Sequence, residues 1–376
     1  MVIHTVQPGD SVYTIAKNNN VPMEDIVEGN QLSDPSKLIV GQALFIPEEN
    51  MAKREIYVNG YTYPSIRSAV LKATLPYLTY LSIFTYTINA DGTLNPINDT
   101  ELIRAAREAD VAPMMVIANM KTGEGFKSDL ASSVLNSEQA QNRLIQNVIT
   151  TMRSKNYFGL DIDFEYVYPS DREAYNRFLE KVAKAITPLG YTLTTAIAPK
   201  LSDSQIGLLY QAHDYAAHGR LVDHVIIMTY EWGYTYGPAM AVSPADQVER
   251  VLQYAVKVIP PRKILMGMPN YGYDWTLPFV KGTAARSLSN IGALQLAARV
   301  NARIQYDPKQ QAPFFRYYDE NRKQHEVWFD DARSIAARLA LINEYNLGGV
   351  SYWTVNNFFN AQFRVLESMF RIKKLL

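Results

Sequence analysis

Cysteine is absent from the 376 residues. That removes disulfides, thiolate nucleophiles and cysteine-ligated zinc or iron–sulfur centres. Charge of one sign is not in excess either: 37 Lys and Arg face 37 Asp and Glu, so no bulk field exists to grip nucleic acid or an anionic membrane. No apolar run reaches the roughly 18 residues of a membrane span. The opening MVIHTVQPGD has no basic stretch followed by an apolar one, so no secretory leader is expected. Nucleic acid and membrane are therefore not expected as partners. What is present is a 47% hydrophobic share with 20% charged residues, enough for a sizeable core and too apolar for general disorder. At roughly 150 residues per domain the length suggests two domains, or one large domain with an appendage. The 25 tyrosines supply flat amphipathic faces on which sugars stack.

Residues 1–48 stand apart. His4-Thr5-Val6 alternates as a strand, Pro8-Gly9-Asp10 turns the chain, and Asp10 or Ser11 caps a helix through Val12, Ile15 and Ala16. A second helix is predicted from Met23 to Glu28, and a closing strand between Leu38 and Ile46. Pro47-Glu48-Glu49-Asn50 reads as a linker. The βααβ segment resembles a LysM module, through Gly9-Asp10-Ser11-Val12, Ile15-Ala16, Asn30, Leu32 and Gly41-Gln42-Ala43-Leu44. That resemblance implies binding of N-acetylglucosamine polymers such as peptidoglycan or chitin. The groove would lie between two loops, with Gly9, Asp10, Ser11, Val12, Asn30 and Leu32 as its residues. The alternative for Gly9, Asp10 and Asn30 is that they only build turns and caps.

From 51 to 376, eight β-like runs alternate with amphipathic segments: Ile56–Tyr61, Leu78–Thr87, Met114–Met120, Tyr157–Val167, Tyr191–Ala198, His224–Trp232, Ile264–Tyr271 and Gly349–Val355. Eight such repeats predict an α/β fold, a (β/α)8 TIM barrel. The surplus length, about 274–331, reads as a small α+β insertion between the seventh and eighth strands. An open doubly wound sheet is weaker, because no glycine-rich phosphate turn accompanies the strands.

The run Gly159-Leu160-Asp161-Ile162-Asp163-Phe164-Glu165 places three carboxylates at i, i+2 and i+4. On a strand they share one face. Glu165 is nearest the C-terminal end, where barrel sites open. Acids so stacked titrate together, which helps Glu165 hold a proton near neutral pH. Carboxyls from one strand do not flank a sugar on opposite faces, which argues against the two-carboxylate retaining scheme. A magnesium site is a competing reading, although metal ligands usually converge from several strands. Neither a metal nor a cofactor is expected.

This strand resembles the signature of glycoside hydrolase family 18, Asp-x-x-Asp-x-Asp-x-Glu, with Phe158 in place of the first acid. The resemblance implies that Glu165 protonates the glycosidic oxygen and then activates water. It implies that Asp163 orients the substrate's 2-acetamido group, that Asp161 supports it, and that configuration is retained through an oxazolinium. Met228-Thr229-Tyr230 resembles the family's sixth strand and implies a hydrogen bond from Tyr230 to the acetamido oxygen. Gly348 to Trp353 resembles the eighth and places Trp353 beneath the sugar. Asn270 or Tyr271, at the end of the seventh run, is a further candidate for the sugar pocket; Glu231, Tyr61 and Asn119 are candidates for which barrel packing is the alternative. The LysM fusion, DIDFEYVYPSDREAYNRFL and HEVWFDDARSI together resemble the spore cortex-lytic group of this family. This implies an N-acetylglucosaminidase acting on spore cortex peptidoglycan strands or fragments in germination, made in the mother cell and lodged in the coat or cortex layers. Chitin oligomers are the alternative substrate, and a non-catalytic glycan-binding barrel is the alternative class.

Overall fold

The computed structural model describes residues 2–48, 53–121 and 123–376. Glu49 and Asn50 of the expected linker, and the start of the second region at 51 and 52, lie outside the described residues.

In the N-terminal segment β1 (Val2–Thr5) pairs antiparallel with β2 (Ala43–Ile46), Val2 opposite Ile46. Two helices lie between them, α1 (Val12–Asn19) and α2 (Met23–Gly29). Ser11, not Asp10, caps α1. Its hydroxyl accepts from the Thr14 N–H while the Thr14 hydroxyl accepts from the Ser11 N–H, so two otherwise orphaned donors are satisfied. Asp10 instead accepts from the Gln7 N–H at 2.8 Å and bonds the His4 ring at 2.7 Å, and these contacts hold its pKa below the usual carboxylate value. Val6, Val12, Ile15, Ala16, Ile26, Leu44 and Ile46 form the segment's own small core.

The barrel strands are β3 (Arg54–Thr62), β4 (Tyr80–Ile88), β5 (Ala112–Ala118), β6 (Gly159–Asp163), β7 (Thr192–Ile197), β8 (His224–Ile227) and β9 (Ile264–Pro269). Five strands then form an antiparallel sheet: β10 (Gly272–Leu277), β11 (Arg286–Leu288), β12 (Gln305–Asp307), β13 (Ala312–Tyr318) and β14 (Gln324–Trp328). Its order is β11-β10-β14-β13-β12, with a helix at Asn290–Arg299. Strand β15 (Gly349–Trp353) returns to the barrel and pairs in parallel with both β9 and β3, which closes the ring. The (β/α)8 barrel with its antiparallel insertion is thus the architecture of the chain.

Five of the expected strands are shorter than their apolar runs and lie wholly within them, and three of these carry site residues at their exits. β6 leaves the ladder after Asp163, β8 after Ile227 and β9 after Pro269. Glu165 and Tyr230 therefore sit on the strand exits, not on the strands. The pleat of β6 still sorts its side chains. Leu160, Ile162 and Phe164 face the helices, where Phe164 stacks on Phe178 at 6.0 Å, while Asp161 and Asp163 point inward. The barrel's lower plug is aromatic: Tyr57, Tyr80 and Phe158 with Ala112 and Met114.

The N-terminal segment is docked on the barrel. The Val40 carbonyl accepts from the Ile304 N–H at 3.1 Å, the Gly41 carbonyl accepts from Arg333 at 3.0 Å, and the Asn360 amide group donates to the Glu28 carbonyl at 2.7 Å. Ala43 and Phe45 belong to the same apolar core as the barrel helices. Gly41 has a φ of +88°, and a Cβ there would stand 1.9 Å from the Ile304 carbonyl oxygen. Backbone strain and backbone overlap then act together. Gly41→Ala should lower the unfolding free energy by about 2 kcal/mol, read by denaturant titration. Wild-type stability in that variant would show that the docking does not depend on this approach.

Candidate active site

Asp161 is fully buried and both its oxygens are occupied. The Tyr61 hydroxyl donates to one at 2.6 Å and the Thr194 hydroxyl to the other at 2.6 Å. Burial raises its pKa to about 6, against the pull of these two donors. Asp163, one layer up, is 3% exposed, and its Oδ1 has no hydrogen-bond partner. Desolvation, then the charges of Glu165 and Asp161, push its pKa well above the usual carboxylate value. Glu165 tops the column with its pKa raised to about 7, by burial first and by Glu231 second. Asp163 and Glu165 thus titrate as a coupled pair well above the ordinary carboxylate range, over an Asp161 whose charge helps to raise Asp163. Where the motif's first acid would stand, Phe158 packs among the plug aromatics. The column therefore ends at Asp161, and hydroxyls rather than a deeper carboxyl support it.

The site has an aromatic floor. Trp353, at the end of β15, meets Phe84 at 5.0 Å, Tyr61 at 5.4 Å and Tyr63 at 5.9 Å, all edge-on. Above it opens a cavity of about 560 Å³, bounded among others by Tyr61, Asp163, Glu165, Tyr230, Glu231 and Trp353. Tyr230 reaches inward because β9 carries Gly267 opposite it; a Cβ there would lie 2.9 Å from the Tyr230 ring. The charges of Asp163 and Glu165, together with burial, raise the pKa of the Tyr230 hydroxyl, which stays a donor. Glu231 stands at the rim in the left-handed region, φ 68°. Part of it meets solvent, yet its ring-walled surroundings raise its pKa, against the donated hydroxyls of Tyr271 and Tyr273.

Several of the residues expected to contact substrate have other bonding partners in this geometry. Asn119 does not face the cavity: it is fully buried, accepts from the Glu165 N–H at 2.9 Å and donates to the Glu165 carbonyl at 2.8 Å. Asn270 is likewise buried, and its amide donates to the carbonyls of Thr354 and Asn357, fastening the exit of β15. Tyr271 serves Glu231 through its hydroxyl and is not among the cavity-lining side chains. In the N-terminal segment, Val12 is core, and Asn30 is 3% exposed with its amide bonded to backbone groups of Ile26 and Phe45. Leu32 packs against the same small core. Gly9 remains open to solvent, and Asp10 and Ser11 are partly so.

Tyr166, Leu201, Gln205, Leu209, Tyr210 and Tyr234 also line the cavity and were not found from the sequence. They lie on irregular loops between strands and helices, where no periodicity marks an inward side chain. Tyr166 alone carried a signal, as the neighbour of Glu165. Among the described residues, no group of three His, Asp or Glu side chains is arranged to hold a metal ion. Within the column, Asp161 has both oxygens engaged by hydroxyls.

With carboxyl pKa values raised on folding, the folded state binds protons more tightly than the unfolded chain between about pH 4.5 and 7. Stability from these groups is full below the unfolded value and is lost as pH rises through the folded one. Glu165→Gln removes part of that dependence. The variant should melt higher than wild type at pH 8 and no higher at pH 4, by calorimetry; a parallel pair of curves would show that Glu165 titrates normally.

Residues 56–357 match the model of the glycosyl hydrolases family 18, and residues 4–47 match the LysM domain. The chain is 44% identical to the cortical fragment-lytic enzyme of Bacillus anthracis, with 99% of each covered, and 40% identical to that of Bacillus subtilis (strain 168), with 100% of this chain and 99% of the relative covered. Its structure superposes on the spore cortex-lytic enzyme SleL of Bacillus megaterium QM B1551 with a TM-score of 0.95 at 36% identity, over 100% of this chain and 99% of the other.

Proposed function

The chain belongs to glycosyl hydrolase family 18 and is a glycoside hydrolase, and we propose that it is a retaining N-acetylglucosaminidase that cleaves spore cortex peptidoglycan fragments during germination. The observation that carries the mechanism is the stacking of Asp163 and Glu165 one above the other, with the orphaned Asp163 oxygen under the proton-holding Glu165.

In this reading the sugar to be cleaved rests over Trp353. Glu165 donates its proton to the glycosidic oxygen, and the leaving sugar departs past Tyr166 and Tyr210. The sugar's own acetamido oxygen closes on the anomeric carbon from the opposite face. Tyr230 donates a hydrogen bond to that oxygen and aims it. Asp163, ionised while its coupled neighbour Glu165 keeps the proton, accepts from the acetamido N–H through its unpaired oxygen and balances the oxazolinium charge. Asp161 is kept in place by Tyr61 and Thr194 and modulates Asp163 by its own charge. Glu165, now ionised, draws a proton from water, which opens the ring with net retention.

The N-terminal segment would add affinity for insoluble glycan, through the exposed loops at Gly9 and at 33–36. The protein would act in the spore, where the similar cortex-lytic enzymes are named for acting. Because the segment shares core with the barrel, deleting 1–48 would strip a packed face. Paired substitutions Ser33→Arg and Ser36→Arg are the cleaner variant. They should weaken retention on insoluble peptidoglycan at least about tenfold and leave soluble-fragment hydrolysis unchanged; equal loss on both substrates would make the segment purely structural.

Glu165→Gln should abolish turnover, a loss of roughly a thousandfold or more, while fragments still bind, and Asp163→Asn should also slow turnover. Product mass spectrometry on soluble cortex fragments, with chitin oligomers in parallel, checks this. New reducing N-acetylglucosamine ends, formed in EDTA by wild type and not by Glu165→Gln, are expected. Full activity in that variant would overturn the assignment, and cleavage of chitin oligomers alone would move the substrate. The general acid must be protonated, so kcat should fall as pH rises past about 7.

A further inference from the structure

Glu165 needs a positioning device that its strand does not supply. The β6 ladder ends at Asp163, so the backbone of 164–166 has no sheet partner. Among the described residues, no side chain hydrogen-bonds the Glu165 carboxyl. Its location is therefore set by its peptide. Asn119 fixes the Glu165 N–H and carbonyl from one side, and Ser128 donates to the Tyr166 carbonyl at 2.5 Å.

The preceding carbonyl, Phe164 C=O, is held by a residue that the mechanism leaves unused. His213 is 1% exposed. The Ala198 N–H donates to its Nδ1 at 2.9 Å, so Nδ1 is the acceptor and the proton is on Nε2. Nε2 lies 2.9 Å from the Phe164 oxygen and donates to it. Burial holds the ring neutral, with its pKa lowered to about 4. The segment that presents His213 is itself braced. The Lys200 ammonium donates to the His213 carbonyl at 3.1 Å, and the Tyr215 hydroxyl donates to the Ala198 carbonyl at 2.6 Å while accepting from the Lys200 N–H. One imidazole thus ties the exit of β7 to the exit of β6, one residue before the acid.

Resting on the assignment of Glu165 as the general acid, we propose that His213 is a positioning residue for that acid, acting through the Phe164 carbonyl. Proton transfer to the glycosidic oxygen needs the carboxyl within hydrogen-bond reach of it, and a shift of about 1 Å far from the chemistry can cost on the order of a hundredfold. The role has a signature that general loosening lacks. A misplaced acid harms cleavage of a poor leaving group, such as a sugar, far more than that of a good one, which departs without a proton.

The test compares His213→Gln with His213→Asn in the full chain. The Gln side chain is long enough to accept from Ala198 and donate to Phe164. The shorter Asn keeps an acceptor near Ala198 and does not reach Phe164. Substrates are soluble cortex fragments, whose leaving group is a sugar, and a dinitrophenyl β-glycoside of N-acetylglucosamine oligomers. His213→Asn should lose roughly ten- to a hundredfold in kcat on the sugar leaving group, lose less than about threefold on the dinitrophenyl glycoside, and keep KM within about threefold; His213→Gln should recover most of the loss. Equal losses on both substrates, or indistinguishable Gln and Asn variants, would overturn the proposal. Glu165→Gln is the control for the underlying reading: if it shows no selective loss on the sugar leaving group, the acid assignment itself fails.

Discussion

The desolvation of stacked carboxyls is the constraint on which the rest depends. Asp161 and Asp163 point into a closed barrel because the alternating pleat of β6 sends Leu160, Ile162 and Phe164 to the helices. Ionised and unpaired, such groups would be expensive in that interior. The protein resolves the two differently. Asp161 receives two hydroxyls, from β3 and β7. Asp163 retains an unbonded oxygen beneath the cavity, and its pKa rises instead. The charges of Glu165 and Asp161 add to the burial of Asp163, and the proton that Glu165 carries near neutral pH results from burial and the charge of Glu231.

The same economy of strand length shapes the surroundings. If β6 continued as far as its apolar pattern suggests, Glu165 would lie in the sheet wall. The chain leaves the ladder two residues earlier, and side chains take over the duties of the sheet. Asn119 replaces a neighbouring strand for the Glu165 peptide, Asn270 does so for the exit of β15, and His213 does so for Phe164. Each is a buried polar residue that bonds backbone groups, consistent with the rule that buried backbone polar groups find partners. The cavity surface is left to Trp353 and the tyrosines, whose rings need few bonds and present flat faces to a sugar.

The N-terminal segment is built into this frame. A small two-helix, two-strand unit has little core of its own, here seven buried residues and a few partly buried ones flanking them. Part of its closing strand joins the barrel's core instead, through Ala43 and Phe45. The approach of Gly41 to Ile304 and the bond from Arg333 set the contact. Glycan affinity and hydrolysis would then be exercised from one fixed geometry.

Much was legible in the linear sequence because it is periodic or local. Alternation along β6 determined which face the acids share, eight apolar runs determined the barrel, and a helix start was legible at Asp10 or Ser11, between which the structure decided for Ser11. Family resemblance supplied the chemistry that spacing leaves open. Only the tertiary structure decided where each strand ends and what each polar side chain faces. Asn119, Asn270 and Asn30, read as candidates for ligand contact, are seen to bond backbone groups, while Tyr210, Leu209 and His213 bore no sequence mark and stand beside the acid's own segment or the cavity. The physical reason is common to all of them. A residue's neighbours along the chain set its secondary structure and its face, but a hydrogen-bond partner or a cavity wall is assembled from strand exits tens of residues apart, and only barrel closure brings those together.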